Sequence, residues 1–218
     1  MRLNADFSER IVVRPGDVPW IASPTAGVER RLLDRIGDEV ARATSLVRYA
    51  PRSRFPAHVH GGGEELLVVE GVLADEAGLY PAGCYVRNPP GSRHAPSTDT
   101  GCVLFVKLWQ FDPDDKAHIV LDTREGAWSA QAGGVSRLGL HAFGGERVAM
   151  ERWAPGTRVS AHAHEGGEET LVLDGVFEDE AGRYPAGTWI RNPRGSRHAP
   201  FTTQGCVLYV KSGHLPAG

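Results

Sequence analysis

The chain repeats itself. Residues 47–109 align with residues 151–213 at a constant offset of 104 and without a gap, and 39 of the 63 pairs are identical. AHVHGGGEELLVVEGVLADEAGLYPAG is followed, one period later, by AHAHEGGEETLVLDGVFEDEAGRYPAG; RNPPGSRHAP returns as RNPRGSRHAP, and GCVLFVK as GCVLYVK. A period near 100 residues is the size of a folding unit, not of a solenoid repeat that needs its neighbours to bury a core. The 218 residues therefore divide into two similar domains, expected at 1–115 and 116–218. The polar, proline-containing stretch FDPDDKAH (111–118) reads as the linker between them.

Each copy reads as short strands. Leu66–Glu70 is an apolar run closed by Gly71, and Val72–Asp75 ends at the turn Glu76-Ala77-Gly78. Pro81-Ala82-Gly83 and Asn88-Pro89-Pro90-Gly91 are further turns, with an extended stretch between them, and Cys102–Leu108 has the composition of a buried strand. Glycine and proline interrupt the chain every 8–12 residues, the pattern of an all-β sandwich or barrel. The segment Glu29–Ile36 fits a short helix or a strand. Tyr85 and Trp189 hold matching strand positions, where they either wall a cavity or pack in the core.

Charge and hydropathy exclude several function classes. The net charge of −3 and pI near 6.3 supply no basic stripe for phosphates, so nucleic acid is not an expected partner. No apolar run approaches the ~20 residues of a membrane helix, and the start MRLNADFSER lacks the apolar stretch of a signal peptide. A cytoplasmic chain is the expectation. Three cysteines, Cys84, Cys102 and Cys206, show no CxxC spacing and two of them lie in apolar strands, so buried thiols are expected, not disulfides.

Six of the nine histidines fall into two identical constellations. His58 and His60 are two apart in an extended segment, which sets both imidazoles on one face; His162 and His164 repeat the arrangement. After a glycine-rich bend comes Glu64, and in the second copy Glu168. A third histidine, His94 or His198, follows the turn Pro-x-Gly-Ser-Arg. Three imidazoles and a carboxylate suit a divalent transition metal such as iron, manganese or zinc. On an octahedral ion four protein ligands leave two positions open; on tetrahedral zinc they close the site. Two metals per chain are expected. Glu65 and Glu169, one residue further on, point away from the metal by alternation. Arg48, Arg54, Arg87 and Arg93 recur as Arg152, Arg158, Arg191 and Arg197, and either line a pocket or pair with the acidic runs Asp75-Glu76 and Asp179-Glu180.

These residues resemble the two cupin motifs. The first, G-x5-H-x-H-x3-E-x6-G, is complete from Gly156 through His162, His164 and Glu168 to Gly175; the first copy matches from His58 to Gly71, with Arg52 at the leading glycine. The second, G-x5-P-x-G-x2-H-x3-N, fits Gly83, Pro89, Gly91 and His94, and again Gly187, Pro193, Gly195 and His198, with Thr98 and Thr202 at the asparagine. Within the cupins, TSLVRYAP, H-x-H-x-GGEE, DEAG-x-YPAG and PGSRHAP are similar to the cupin-like domain of the ChrR anti-sigma factors. The resemblance implies two tandem jelly-roll barrels. One holds a metal through His58, His60, Glu64 and His94, the other through His162, His164, Glu168 and His198. Such anti-sigma factors also carry a zinc-binding helical domain with an H-x3-C-x2-C motif that this sequence lacks, so sigma-factor binding is not expected. The same branch is similar to β-diketone-cleaving dioxygenases, which hold iron(II) with three histidines and no glutamate. Two functions are therefore in contention. One is an iron-type dioxygenase acting on a small carbonyl or diketone-like substrate. The other is a metal, small-molecule or oxidative-stress sensor. By analogy with the fold, a homodimer is expected.

Overall fold

A computed structural model describes residues 1–38 and 40–216. Among them there is no α-helix; one short 3-10 turn spans Ala132–Gly134, and the rest of the regular structure is strand. The segment that fits helix or strand is a strand, Val28–Gly37, held between Ala41–Tyr49 and the short strand Arg2–Leu3.

The chain packs into two units. The first comprises Met1–Ala5 with Val18–Glu125, the second Asp6–Asp17 with Gly126–Gly218. In the first, a fully antiparallel sheet runs in the order Arg2–Leu3, Val28–Gly37, Ala41–Tyr49, Cys102–Leu108, Glu64–Asp75, Cys84–Asn88, Ile119–Asp122. The long strand Glu64–Asp75 belongs to this sheet by its first half. By its second half it pairs with Gly78–Pro81 and, at Ala74, with Ser97. Gly71 makes that change of sheet possible. Its φ is 72°, and a Cβ there would meet the Gly101 carbonyl oxygen at 2.0 Å. Gly175 does the same in the second unit, against Gly205.

The second unit repeats the order: Ser129–Ala130, Val135–Phe143, Glu146–Trp153, Cys206–Ser212, Glu168–Asp179, Trp189–Asn192, Ile11–Val13. Alternating residues fill each barrel. Leu66, Val68, Leu104 and Val106 meet Val28, Leu73 and Tyr80 in the first; Val172, Leu208 and Val210 meet Phe177, Trp153 and Tyr184 in the second. Each fully buried aliphatic side chain contributes roughly 1.5–3 kcal/mol.

The last strand of each sheet comes from outside the repeated core. Ile119 lies opposite Arg87, and Ile11 lies opposite Arg191, the equivalent residue one period later. The stretch 111–118, expected as a linker, is thus built into the first unit. Phe111 lies 3.8 Å beneath the Arg87 guanidinium, and Asp115 is buried and bonds Arg87 Nη2 at 2.5 Å. In the second unit Phe7 and the Asp6 carbonyl take these parts for Arg191.

The outward alternation of the central strand is polar but buried. Glu65 accepts from Arg87 Nη1 at 2.9 Å, and Glu169 faces His214 Nε2 at 3.2 Å and Trp189 Nε1 at 3.3 Å. Glu65 and Glu169 therefore do point away from the six clustered histidines. Tyr85 and Trp189, wholly buried, sit on this same outer face and line neither cavity. Three of the remaining repeated arginines stack on aromatic rings: Arg48 on Trp20, where it also bonds Glu29, Arg152 on Trp128, and Arg158 on Phe201. None of the eight repeated arginines lines either barrel cavity. All three cysteines are buried and free, as expected.

Candidate metal centres

In the first barrel the strand His58–Val59 pairs with Arg93–His94, which sets His58 directly opposite His94. His60 follows on the face of His58. A glycine bend then returns the chain so that Glu64, the first residue of the long strand, faces the same point. The bend must be glycine. A Cβ on Gly62 would meet Trp109 Cδ2 at 2.2 Å, and Gly63 adopts φ 77°. In the second barrel Gly166 is pressed against the backbone of Gly213 instead.

One ligand atom from each of His58, His60, Glu64 and His94 lies within 4.8 Å of the others. Glu64 Oε2 is 3.5 Å from both His60 Nε2 and His94 Nε2. Those two buried nitrogens have no hydrogen-bond partner, which is costly for polar atoms unless something else occupies the point they share. The other side of two of the three rings is anchored. His58 Nδ1 meets the Pro56 carbonyl at 2.9 Å, and His94 Nδ1 meets Asp75 Oδ2 at 3.2 Å, so Nε2 is the nitrogen turned inward. Asn88 Nδ2 donates to Glu64 at 3.1 Å. Burial pushes the His60 imidazole below its usual pKa, which keeps its lone pair available. The donor set, the orphaned nitrogens and the outer anchors fit a divalent transition metal.

The second barrel gathers His162, His164 and His198 in the same way. His162 Nδ1 is anchored on the Ser160 carbonyl at 3.0 Å. His164 and His198 approach Nε2 to Nε2 at 2.9 Å, so both nitrogens are turned toward one point. Burial, with His198 and His162 alongside, lowers the His164 pKa to about 4. Glu168 is not gathered with the three imidazoles. Its Oε2 lies 3.4 Å from His164 Nδ1, the nitrogen on the other side of that ring. Burial raises the Glu168 pKa to about 7.

The residues behind the ligands escaped the sequence reading. Asp75 and Asp179 sit in the acidic runs expected to pair with arginines, yet each faces the third histidine of its site and accepts from a tyrosine, Tyr80 or Tyr184. Their spacing of 19 residues before His94 and His198 is the same in both copies, and that repetition was the available signal. Asp179 also takes Arg10 Nη2 at 2.7 Å. Its hydrogen bonds and Arg10 hold its pKa at about 2, and its contact with His198 Nδ1 lengthens to 3.6 Å.

Each centre opens into a cavity within its barrel, of about 540 Å³ in the first and 660 Å³ in the second. Both fall in the range of small-molecule sites.

The comparisons with known proteins agree with this arrangement. The sequence pattern of the ChrR cupin-like domain matches residues 8–112 and again 116–216. Anti-sigma-E factor ChrR of Cereibacter sphaeroides is 39% identical over 79 residues, which is 36% of this chain and 37% of that protein. The match thus spans little more than a third of the relative. Among solved structures, a candidate dioxygenase from Nostoc punctiforme superposes with a TM-score of 0.79 at 16% identity, covering 97% of this chain and 85% of the other. A variant of Bacillus subtilis oxalate decarboxylase gives 0.65 at 14% identity, covering 93% and 76%. At such identities the likeness is one of fold: two cupin barrels in one chain. The chain belongs to the ChrR cupin-like domain family and carries the domain twice.

Proposed function

We propose that the protein is a metal-dependent dioxygenase acting on a small carbonyl or diketone-like substrate. The observation that carries this is the convergence of His58, His60, Glu64 and His94 at a cavity whose other walls are mainly apolar. A bound iron-type ion supplies Lewis acidity and electrons for dioxygen chemistry. The chain's own part is to hold three neutral imidazoles and one carboxylate, to fix their orientation through Asp75, Asn88 and the Pro56 carbonyl, and to keep bulk water out with Leu66, Leu104 and Val106. The second barrel would hold its ion through His162, His164 and His198, with Glu168 adjacent.

The likeness to ChrR favours a second reading, a metal or small-molecule sensor in which the barrel reports ligand capture instead of turning it over. Metal analysis after anaerobic purification separates the two, on wild type and on His60→Ala and His164→Ala. Near two iron or manganese ions per chain, one lost in each variant, with oxygen uptake on a β-diketone, supports the oxygenase. Two tightly held zinc ions and no oxygen uptake supports the sensor. A chain that neither carries nor takes up metal rules out the oxygenase and the metal sensor.

A further inference from the structure

The mouth of the first cavity is apolar on its solvent side. Among the described residues seven large hydrophobic side chains are exposed. Three of them, Val40 at 66%, Val59 at 62% and Trp109 at 46%, line this one cavity. None of the seven lines the second cavity. Apolar groups gathered at the edge of a cavity and left in water mark a surface that a ligand covers.

The repeat shows that the fold does not require these side chains. Leu108 lies directly opposite Glu64, and Ser212 lies opposite Glu168. The next residue bonds the glycine bend in both copies. The Trp109 amide donates to the Gly63 carbonyl at 3.1 Å, and the Gly213 amide to the Gly167 carbonyl at 2.9 Å. The backbone is left-handed at both, with φ 57° at Trp109 and 77° at Gly213. That conformation suits glycine, which the second copy uses; the first holds a tryptophan there against steric strain. Val59 stands where the second copy has Ala163. Val40 has no counterpart. Ile36 pairs with Arg42, whereas Phe143 pairs with Glu146, so the first hairpin is longer by three residues and carries Val40 in its turn. The apolar lining thus extends from beside the metal donors, through Leu66 and Leu108, to the exposed edge.

We propose that the first barrel takes a β-dicarbonyl with an extended apolar arm, its head at the metal centre and its alkyl or aryl tail leaving across Leu108, Trp109, Val59 and Val40. The head rests on the dioxygenase reading; the arm rests on the rim. The occupant of the rim is the tail of a bound molecule because the exposed apolar surface continues the cavity wall that ends at the metal donors. Covering these side chains removes them from water, and each methylene of the arm that follows them adds to the gain. In the second barrel Ala163, Ser212 and Gly213 offer little apolar surface, and Thr170 loses its water against an alkyl chain.

Decanoylacetone and acetylacetone are the probes, titrated calorimetrically into the full chain loaded with manganese and kept free of oxygen. One site per chain is expected to bind decanoylacetone tighter than acetylacetone by about 100-fold or more. A double variant, Val40→Ser with Val59→Ala, strips the rim. It should weaken decanoylacetone by about tenfold and leave acetylacetone and metal content unchanged, since the second copy has alanine between its own two histidines. Should the double variant fail to fold, Val40→Ser alone, in the hairpin turn, gives the same test with a weakening of several-fold. The proposal is overturned if the arm brings no gain in affinity, or if the stripped rim binds decanoylacetone as wild type does. It is also overturned if sedimentation shows a dimer that the double variant dissociates, which assigns the rim to a second copy of the chain. Acetylacetone bound with no gain from the longer arm overturns this inference alone. Decanol bound to the metal-free chain and weakened by the double variant, with neither dicarbonyl bound to the loaded chain, overturns the dicarbonyl head and the oxygenase reading and supports the rim as the site of the arm.

Discussion

Thr98 and Thr202 occupy the position where the second cupin motif has asparagine, and the structure explains why threonine serves. Thr98 Oγ1 donates to the Val72 carbonyl at 2.6 Å and accepts from the Gly101 amide at 3.0 Å; Thr202 repeats both bonds to Val176 and Gly205. The hydroxyl pins the loop that follows the third histidine to the bend in the long strand. Thr98→Val keeps the shape but leaves the Gly101 amide unpaired, and a destabilisation of about 1–3 kcal/mol by chemical denaturation is expected. Arg52, at the motif's leading glycine, adopts φ 61°, where Gly156 has φ 81°. The first copy thus tolerates a non-glycine in a left-handed turn, a local strain of roughly 1–2 kcal/mol that the second copy avoids.

Glu168 and His164 make a pH argument at the same scale. Glu168 has a folded pKa near 7 against 4.5 when exposed, so between those values the folded state holds the extra proton and loses stability as pH rises. His164, at about 4 against 6.5, does the opposite, since there the unfolded state holds the extra proton. In the metal-free chain the two slopes oppose each other. Glu168→Gln, a neutral mimic of the protonated acid, removes only the first. Its melting temperature relative to wild type should therefore climb from pH 4.5 to 7. A constant difference across thermal melts in that range would show that Glu168 is ionised throughout.

At the scale of the element, the bend between the His-x-His strand and the long strand sets the metal site. It is glycine in both copies because a ring in one and backbone in the other fill the space where a side chain would go. Gly62→Val would drive Cβ into Trp109, an indole that is 46% exposed and held at φ 57°. The bend moves, and Glu64 moves with it. Metal analysis should then show the first site lost and the second retained, because Gly166 and Gly213 are untouched. The segment Val28–Gly37 shows the limit of pattern reading. Its mixture of arginine with Leu32 and Leu33 fits a helical face, and only pairing on both sides makes it a strand.

At the scale of the molecule, each barrel is finished by a strand that lies outside the repeated core. Residues 6–17 supply the second unit with the strand Ile11–Val13, with Phe7 against Arg191, and with Arg10, which bonds Asp179, Asn192 and Tyr184. A chain that starts at Val18, which also gives up the short edge strand Arg2–Leu3 of the first unit, would leave Arg191 without these partners and Asp179 without its cation. It should lose metal affinity at the second site by about 10- to 100-fold, the usual cost of removing support behind a ligand, while His58, His60, Glu64 and His94 keep theirs. Isothermal titration of the truncated chain with manganese measures both. Among the described residues no helix is long and apolar enough to cross a membrane.

The repeat, the strand period and the histidine spacing were legible in the sequence because each is a local rule: alternation fixes which side chains share a face, and glycine and proline fix where strands end. These determined two all-β barrels and pointed to the candidate sets His58, His60, Glu64, His94 and His162, His164, Glu168, His198. What only the tertiary structure decided depends on partners far along the chain. The difference between Glu64 and Glu168 comes from which nitrogen of the neighbouring ring each one meets, Nε2 of His60 for Glu64 and Nδ1 of His164 for Glu168. The parts played by Asp75 and Asp179 come from a strand returning to face the third histidine. The use of residues 6–17 and 111–125 as closing strands comes from backbone hydrogen bonds at a sheet edge, and an edge accepts any extended segment that reaches it in register.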